Sequence, residues 1–440
     1  MKKWFLFGLY QGITLLLLPF FLLFIVGVFL RQPVYRKHMA QRFGRYPSDF
    51  FKPLQDKQVF WVHAASVGEV MMSRLFVRAL KERHPDTGIV FSTITPTGQA
   101  AAREHLADSV DCFIYFPFDF FWVARRVVRR ISPDVFIFLE TEIWPNCLRS
   151  LSTLKIPSVM ANGRISTRSF PGYRRLRPFI SLVLKEISLF LVQSVEDAER
   201  LVALGAPPER VEETGNMKYD QAGSAEDQNV DPRKNLEALG LFEDIPVMIA
   251  GSTRPGEETP VLEAYRTLRL NIPDLALIVA PRHLGRLDEV EKIIEREGFK
   301  VIRKTRIEGP LRTEIAAPPV ILVDTLGELA TVYPVGRFIF VGGSLAAFGG
   351  HNPLEPAACR KPVFFGPHME NFQAIAAQLT AAGGGIQVSS GTELAGEMLS
   401  LSQTPEEYEQ RATAAYDVVR RHRGAVQRNI DRISALLGGS

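Results

Sequence analysis

The chain has 440 residues, with 52 Lys and Arg against 48 Asp and Glu and a formal net charge of +4. Seven of the basic residues and none of the acids lie in the first 45 positions, so removing those seven leaves 45 basic against 48 acidic residues over positions 46–440, a net charge of −3. A nucleic-acid-binding protein spreads basic residues over a folded surface, and this distribution argues against a nucleic-acid partner.

The composition predicts a folded protein of several domains. Apolar residues make up 46% of the chain and charged residues 23%, which is enough to form large cores. At roughly 100–200 residues per domain, two or three domains are expected. Cys112, Cys147 and Cys359 are far apart and form no CxxC pair, which favours reduced, buried thiols over a zinc site or a disulfide framework.

The N-terminal segment is predicted to be a membrane anchor. Residues 4–30 contain no charged residue, and about 20 apolar residues suffice to cross a bilayer. A cleaved signal peptide would have a shorter apolar region, of about 7–15 residues, followed by small residues at a cleavage site. Here the run ends in basic sequence. We therefore interpret residues 1–45 as an uncleaved anchor with a basic collar.

Charge bias orients this anchor. More Lys and Arg follow the apolar run than precede it, which places the body of the protein in the cytoplasm. Gln11 and Pro19 interrupt the run, so a helix that lies in the membrane interface remains an alternative to a spanning helix. In both cases anionic lipids would attract the residues from Arg31 to Arg45.

The first half of the body shows short, β-rich apolar runs alternating with helical segments. Residues 68–83 carry apolar side chains at helical spacing. Runs that are apolar on both faces and separated by crossovers predict a parallel sheet covered on both sides. The predicted strands of this first series are residues 58–64, 88–93, 111–116, 134–140, 157–162 and 188–193.

A polar stretch without periodicity, residues 219–237, separates this series from a second one. We predict an α/β protein with two Rossmann-like, doubly wound parallel-sheet domains that face a cleft. The terminal helices, over about 404–436, are free to pack back on the N-terminal domain. The second series of strands covers 246–251, 275–281, 320–324, 337–343 and 361–366. The predicted boundaries are 46–218 for the N-terminal domain, 219–240 for a linker and 241–440 for the C-terminal domain.

Two loops of the first series carry acids at strand ends. Glu69 falls in the first turn of a predicted helix, where it is either a charge favoured by the helix dipole or a general base. Glu140 and Glu142 end an apolar strand and, being two residues apart, can share a face. One of them could instead cap the following helix.

Two loops of the second series carry groups that suit an anion. Residues 251–258 offer backbone and hydroxyl donors from Gly251, Ser252 and Thr253 before a helix, but they form neither a Walker A loop nor a GxGxxG turn. Residues 279–283 place Arg282 after a strand, where it either binds a phosphate or forms a surface salt bridge.

Residues 341–367 are the densest candidate for nucleotide binding. Paired glycines precede Asn352 and Pro353, which suit the cap and the first turn of a helix. Glu355 would then be placed to accept hydrogen bonds from ribose hydroxyls. Two arginine-rich stretches, 120–130 and 164–178, are read either as solvated helix faces or as contacts to lipid phosphates.

Eight motifs follow one another behind the anchor: HAASVGEV, STITPTG, LETEIWPN, ANGRIS, TGNMKYD, APRH, DTLGEL and VGGSLAAFGGHNPLEP. In this order they resemble the 3-deoxy-D-manno-octulosonic acid (Kdo) transferase family, from the anchor through at least residue 372. The resemblance implies a GT-B glycosyltransferase fold and an inverting, metal-independent enzyme without a cofactor. It also implies transfer of Kdo from CMP-Kdo to a lipid A precursor at the inner membrane.

The resemblance also implies roles for individual residues. Glu69 would be the proton acceptor, and Glu140 and Lys218 would support the transition state. His63 receives no role. The expected CMP contacts are Pro281, Arg282, Leu326, Gly327, Glu328, Asn352, Pro353, Leu354 and Glu355.

Two other functions remain open from the residues alone. The first is a different GT-B enzyme that uses a UDP-sugar on a lipid acceptor. The second is a membrane-tethered nucleotide-binding regulator, which would leave Glu69 without a task. For the Kdo transferase we expect the partners to be CMP-Kdo, a lipid A precursor and membrane lipids, with the arginines from Arg164 to Arg177 near the acceptor phosphates.

Overall fold

A computed structural model describes residues 2–31, 38–223, 232–242, 245–309, 319–325 and 327–438. The chain divides into two compact units. The first consists of residues 1–220 and 424–440, and the second of residues 221–423. Part of the predicted basic collar (residues 32–37), part of the predicted linker (residues 224–231) and Leu326 lie outside the described residues.

Each unit is built on a parallel sheet that has seven strands among the described residues. The strand order is β3-β2-β1-β4-β5-β6-β7 in the first unit and β10-β11-β9-β8-β12-β13-β14 in the second. The strands of the first unit are β1 (Val59–His63), β2 (Gly88–Thr93), β3 (Cys112–Tyr115), β4 (Val135–Leu139), β5 (Ser158–Gly163), β6 (Leu189–Val192) and β7 (Val211–Glu213). Those of the second are β8 (Val247–Thr253), β9 (Ala276–Pro281), β10 (Val301–Arg303), β11 (Val320–Leu322), β12 (Phe338–Val341), β13 (Val363–Phe365) and β14 (Gly385–Gln387).

Helices cover both faces of each sheet, as the crossovers of a parallel sheet require. The helices up to the boundary of the first unit are α1 (Lys2–Arg31), α2 (Met39–Arg42), α3 (Val67–Arg83), α4 (Pro96–His105), α5 (Phe121–Ile131), α6 (Pro145–Thr153), α7 (Phe170–Arg175), α8 (Arg177–Leu184), α9 (Val195–Leu204) and α10 (Lys218–Gly223). They are followed by α11 (Pro232–Ala238), α12 (Glu258–Arg269), α13 (Leu287–Arg296), α14 (Leu329–Val332), α15 (Leu354–Ala358), α16 (Gln373–Ala381), α17 (Gly391–Gln403), α18 (Pro405–His422) and α19 (Ala425–Gly438).

Helices bury both faces of the central strands of the first unit. Neighbouring side chains of a strand point to opposite sides of the sheet, so they enter two different cores. Trp61, Phe136 and Phe138 belong to the core on one face, whereas Phe60 and Val62 belong to the core on the other. Helix α19 covers part of the core that contains Phe60 and Val62, and its apolar side packs against α3. The predicted fold class is confirmed by these two doubly wound parallel sheets.

Both sheets change direction beside a central strand. In the first unit the chain passes from β1 outward to β3 and then returns to β4 on the other side of β1. In the second unit β8 and β12 are the corresponding neighbours. Ligands of open parallel sheets bind beyond the carboxyl ends of the strands at such a switch point. The loops after these four strands are therefore the places to look for chemistry.

The polar stretch around residue 219 differs from the predicted linker. Helix α10 continues to residue 223, and α11 covers residues 232–238, with Leu236 buried in the core of the second unit. Lys, Asn, Glu and Ala in this stretch are compatible with a helix even without a strong apolar period, which is why the pattern alone suggested an unstructured segment.

Candidate active site

Glu69 lies at the beginning of α3, directly after β1. Its carboxylate accepts hydrogen bonds from the Ala65 amide at 2.8 Å and from the Ser66 hydroxyl at 2.9 Å. Ser66 in turn accepts from the Glu69 amide, so that its side chain caps the first turn of α3. Burial raises the pKa of Glu69 to about 7 against the effect of the Ala65 hydrogen bond, and the charges of Glu140 and Glu142 add to the rise. A carboxylate with this pKa suits a general base near neutral pH.

Glu140 follows the last residue of β4 in a left-handed conformation, with φ of 55°. Such a conformation costs on the order of 1–3 kcal/mol in a residue other than glycine, and residues of this kind cluster at functional sites. The Glu140 amide is still bonded to the Ala161 carbonyl of the neighbouring strand, at 3.1 Å. Its carboxylate lies 3.6 Å from Nε of Arg164. The strained backbone thus turns the side chain of Glu140 out of the sheet toward Arg164.

Glu142 belongs to a contact network that reaches the centre of the sheet. Its carboxylate accepts from Nε1 of Trp144 at 3.0 Å and lies 3.7 Å from Nε2 of His63. His63 is fully buried, stacks on Phe116 and is held through Nδ1 by Ser92. The sequence left open whether one of these acids caps the following helix. Among the described contacts, neither Glu140 nor Glu142 makes a capping bond to α6.

Lys218 begins α10 and is held by a polar scaffold that spans three loops. The Lys218 amide donates to Oδ1 of Asn216 at 3.0 Å, and the neighbouring Met217 amide donates to Oδ1 of the buried Asn162 at 2.9 Å. Gln193 bonds both asparagines. Burial lowers the pKa of Lys218, while the carboxylates of Glu140 and Glu69 act in the opposite direction. The ammonium group thus lies in the field of both acids.

The last helix braces the segment that carries Lys218. The carboxylate of Asp220 accepts from the amides of Gly424 and Val426 at the beginning of α19. Asn429 of α19 donates to the Thr214 hydroxyl at 2.9 Å. Sequence reasoning missed Asp220 and Asn429, and no local pattern could have paired them with positions about 200 residues away. The structure brings Glu69, Glu140 and Lys218 together in the first unit, as the motifs suggested.

In the second unit, the glycine-rich turn after β12 is already occupied by a carboxylate of the chain itself. The side chain of the fully buried Glu257 accepts from the amides of Gly343 at 2.6 Å, Ser344 at 2.8 Å and Leu345 at 2.8 Å. It also accepts from the Arg254 amide at 2.9 Å. These amides form an anion-binding concavity, and Glu257 satisfies it. The expectation that the loop over residues 251–258 offers its donors to a ligand is therefore wrong for Thr253, whose hydroxyl donates to Glu258.

Cationic and imidazole groups converge above these loops. Arg254 donates to Nε2 of His283, and its guanidinium lies 4.9 Å from the ring centroid of Phe348. Burial lowers the pKa of His351 to about 4, and the charges of Arg282 and Arg254 act in the same direction. Nε of Arg254 and Nε2 of His351 are buried without a hydrogen-bond partner among the described residues. Several positive groups and unsatisfied nitrogens in one place favour an anionic ligand.

Asn352 and Glu355 lie next to this cluster. Nδ2 of Asn352 donates to the Glu355 carboxylate at 3.1 Å, and its Oδ1 accepts from the Leu354 amide at 3.1 Å. Burial raises the pKa of Glu355 against the effects of Asn352 and Arg282. Helix α15 begins at Leu354 after Pro353, and the bond from the Leu354 amide gives Asn352 the capping role that the sequence predicts.

The remaining predicted CMP contacts lie on two segments, one at the end of β9 and one before α14. Pro281 ends β9, and the Arg282 amide donates to the Thr253 carbonyl at 3.0 Å, which fixes the start of the Arg282 loop beside β8. Gly327 has φ of 80°, and Glu328 pairs with Lys304. Burial opposes ionisation of Glu328, but the Lys304 contact outweighs it and lowers its pKa. Leu326 is outside the described residues. Among the described residues, no group of three or more His, Cys, Asp or Glu side chains has the arrangement of a metal site.

Solved structures share this two-domain architecture. UDP-N-acetylglucosamine 2-epimerase from Neisseria meningitidis aligns with a TM-score of 0.60 at 13% identity, covering 86% of this chain and 99% of that one. A glycosyltransferase from Rickettsia africae aligns with a TM-score of 0.57 at 13% identity, covering 88% of this chain and 100% of the other. At such identities the likeness concerns the fold alone. It defines the fold as that of GT-B glycosyltransferases and their structural relatives.

Sequence relatives narrow this class. A family model described as 3-deoxy-D-manno-octulosonic-acid transferase matches residues 37–221. The 3-deoxy-D-manno-octulosonic acid transferase of Haemophilus influenzae is 35% identical over 97% of this chain and 98% of its own length. The transferase of the same name from Bordetella pertussis is 30% identical over 90% and 91%. The chain belongs to the Kdo transferase family, and it is therefore a glycosyltransferase. The resemblance seen in the motifs is confirmed.

Proposed function

We propose that this enzyme transfers Kdo from CMP-Kdo to a lipid A precursor, with inversion at the anomeric carbon, during lipopolysaccharide biosynthesis. One observation carries the proposal. A half-buried carboxylate with a pKa of about 7, Glu69, lies within the field of a second acid and of a lysine, on the unit that the family model matches. The names of the sequence relatives supply the sugar.

Glu69 is proposed as the general base. As an acceptor hydroxyl forms a bond to the anomeric carbon, its proton passes to the Glu69 carboxylate. The bond from the anomeric carbon to the phosphate oxygen breaks, and CMP leaves with the electron pair. The hydrogen bonds from the Ala65 amide and the Ser66 hydroxyl hold the carboxylate in one orientation, which general base catalysis requires.

Glu140 and Lys218 are proposed to stabilise the charges that develop in the transition state. The anomeric carbon becomes partly positive as the phosphate departs, and the Glu140 carboxylate can oppose that charge. Lys218 lies in the field of both Glu69 and Glu140, so its positive charge reduces the repulsion between the two carboxylates. It also offers a positive group to the negatively charged donor.

The second unit is proposed to bind the CMP part of the donor without a metal ion or other cofactor. Arg282 would contact the phosphate, and Glu355 would accept hydrogen bonds from the ribose hydroxyls. The other proposed CMP contacts are Pro281, Leu326, Gly327, Glu328, Asn352, Pro353 and Leu354. Support comes from the positive cluster around Arg254, whose unsatisfied nitrogens match an anion. With metal-independent chemistry, EDTA should leave the transfer rate unchanged.

The location is proposed to be the cytoplasmic face of the inner membrane, where a lipid acceptor is available. Residues 5–28 of α1 are long and apolar enough to associate with a bilayer, with a mean hydropathy of 2.3. Arg174 and Arg175 are exposed residues at the end of α7 and follow Tyr173 in the chain. These two arginines are proposed to contact acceptor phosphates.

The deciding experiment is transfer of Kdo from CMP-Kdo to tetraacylated lipid A precursor by the purified full-length chain. Product formation should be followed by mass spectrometry, and CMP should inhibit the reaction competitively while UDP should not. Inhibition by UDP and not by CMP, with no Kdo product, would instead indicate a GT-B enzyme that uses a UDP-sugar. Binding of CMP without any transfer would favour the non-enzymatic regulator.

A further inference from the structure

One face of α1 is packed along its length against the first unit. The inward side chains recur every three or four residues, and they include Phe7, which is fully buried, Phe21 and Ile25. Phe7 contacts Phe179 of α8, with ring centroids 5.6 Å apart. Phe21 contacts Phe118 at 5.0 Å. At 1.5 Å per residue, the docked stretch from Phe7 to Ile25 is about 27 Å long, close to the thickness of a bilayer core.

Polar contacts fix the N-terminal half of this helix to the protein. Nε2 of Gln11 donates to Oδ1 of the fully buried Asn146, and the Tyr10 hydroxyl donates to the Asp119 carboxylate at 3.4 Å. Asp119 also accepts from the amides of Asn146 and Cys147 at the beginning of α6, at 2.9 and 2.8 Å. If α1 crossed a bilayer, these partners would have to enter the hydrocarbon core with it or lose their bonds, and both are unfavourable.

The remaining surface of α1 is apolar and has no protein partner among the described residues. A helix that is apolar all round needs an apolar environment on every side. The exposed side is also much larger than the apolar patches that soluble monomers show. Its large apolar side chains are Phe5, Leu9, Ile13, Leu15, Leu16, Leu17, Phe20, Leu22, Leu23, Phe24, Val26 and Leu30.

Charges at the two ends of α1 favour the same side of the membrane. Lys2 and Lys3 precede the apolar run, Arg31 follows it, and the first 45 residues contain no acid. Basic residues next to an apolar segment tend to stay in the cytoplasm, where anionic lipids attract them. A spanning helix would carry Lys2 and Lys3 to the opposite side. A helix that lies parallel to the membrane leaves both ends on one side.

The surface next to α1 continues the same character. Trp122 is 40% exposed and stacks on Phe120, which contacts Phe21 of the helix. Leu176, 61% exposed, precedes the α8 segment whose Phe179 packs on Phe7. These exposed apolar side chains extend the apolar surface that α1 offers to lipid.

We infer that α1 lies in the plane of the cytoplasmic leaflet as a fixed part of the first unit, with its outer face in lipid, and does not cross the bilayer. This inference concerns the placement of α1 in the membrane and does not depend on which sugar the enzyme transfers.

The topology can be tested by labelling single cysteines in the full-length chain. Lys3→Cys reports the N-terminal side of α1, and the matched control Glu406→Cys reports an exposed position at the start of α18. A membrane-impermeant maleimide is applied to intact spheroplasts and to inverted inner-membrane vesicles, and the wild-type chain gives the background from its native cysteines. The inference expects both variants to be labelled in inverted vesicles and neither in spheroplasts. Labelling of Lys3→Cys in spheroplasts, or its protection in inverted vesicles while Glu406→Cys reacts, overturns it.

A second measurement tests the occupant of the exposed face. Leu16→Glu/Leu23→Glu places two acids on that face and is expected to move most of the chain from sedimented membranes to the supernatant. Leu270→Glu, at an exposed position of the second unit, should leave membrane association unchanged. If Leu16→Glu/Leu23→Glu stays in the membrane fraction, or if the wild-type chain is a soluble oligomer without detergent, lipid is not the occupant. Kdo transfer is measured on the same proteins in detergent, where no intact bilayer is needed. Transfer there shows that the proposed reaction holds even when the membrane placement fails.

Discussion

The two units place opposite chemistry on the same topology. In the first, the loops after β1 and β4 present acids around the half-buried Lys218. In the second, the loops after β8 and β12 present arginines and histidines, while the carboxylate of Glu257 is used inside the fold. A parallel sheet fixes only where the loops meet, and the side chains on those loops decide whether the unit moves a proton or holds an anion. The comparison predicts that the two functions can be damaged separately.

The largest separate effect is expected at Glu69. Glu69→Gln keeps the shape and the capping position but cannot accept a proton, so kcat should fall about 10²–10⁴-fold. The dissociation constant of CMP, which concerns the second unit, should not change. Initial-rate kinetics and isothermal titration calorimetry measure the two quantities. Glu82→Gln is the matched control, because it makes the same change at an exposed acid near the end of α3, and it should retain full activity. Full activity of Glu69→Gln would show that another group is the base.

The reciprocal effect is expected at the cation cluster. Arg254→Ala removes a group whose Nε has no hydrogen-bond partner among the described residues. Arg282→Ala removes the arginine that directly follows the neighbouring strand β9. Hydrogen bonds to charged groups contribute about 1.5–3 kcal/mol, so each variant should weaken CMP binding about 10- to 100-fold. Binding of cytidine, which has no phosphate, should change little.

Arg266→Ala is the control for this pair, since its guanidinium bonds Glu297 at the surface instead of facing the cluster. Its affinity for CMP should equal that of the wild type. If Arg254→Ala and Arg282→Ala weaken cytidine binding as much as CMP binding, the cluster does not hold the phosphate.

The pH dependence sharpens the comparison within the first unit. The base must be ionised, so kcat/KM should be lost as the pH falls through about 7, the pKa of Glu69. Glu140 is one of the charges that raise this pKa. Glu140→Gln should therefore move the acid limb to lower pH, by less than about one unit, because burial is the larger cause. It should also lower kcat. A limb that stays in place would mean that a group other than Glu69 sets it.

The strand series, the acidic loop and the resemblance could be derived from sequence because each depends on a local pattern. β-Rich apolar runs are recognisable from a few residues, and Glu69, Glu140 and Lys218 lie within short motifs. The partners that hold these groups in place were not predictable. Glu257 fills the turn at residues 343–346, and Asp220 holds the beginning of α19, and neither pairing leaves a mark on the sequence near it. The stripe by which α1 docks was also missed, since an apolar helix shows no amphipathic period.

The smallest effect is expected at Arg174 and Arg175, which test whether the basic surface of the first unit acts on the acceptor alone. Both side chains are exposed, and an exposed ion pair contributes about 0.2–1 kcal/mol, so Arg174→Ala/Arg175→Ala should raise the KM for the lipid acceptor about two- to tenfold. The KM for CMP-Kdo should stay the same. The difference from wild type should shrink in high salt, because screening weakens exposed contacts first.

Arg420→Ala/Arg421→Ala, an exposed pair on α18 of the second unit, serves as the control. An equal rise for both double variants would point to a general loss of positive charge, whereas a rise for Arg174→Ala/Arg175→Ala alone would place acceptor recognition in the first unit.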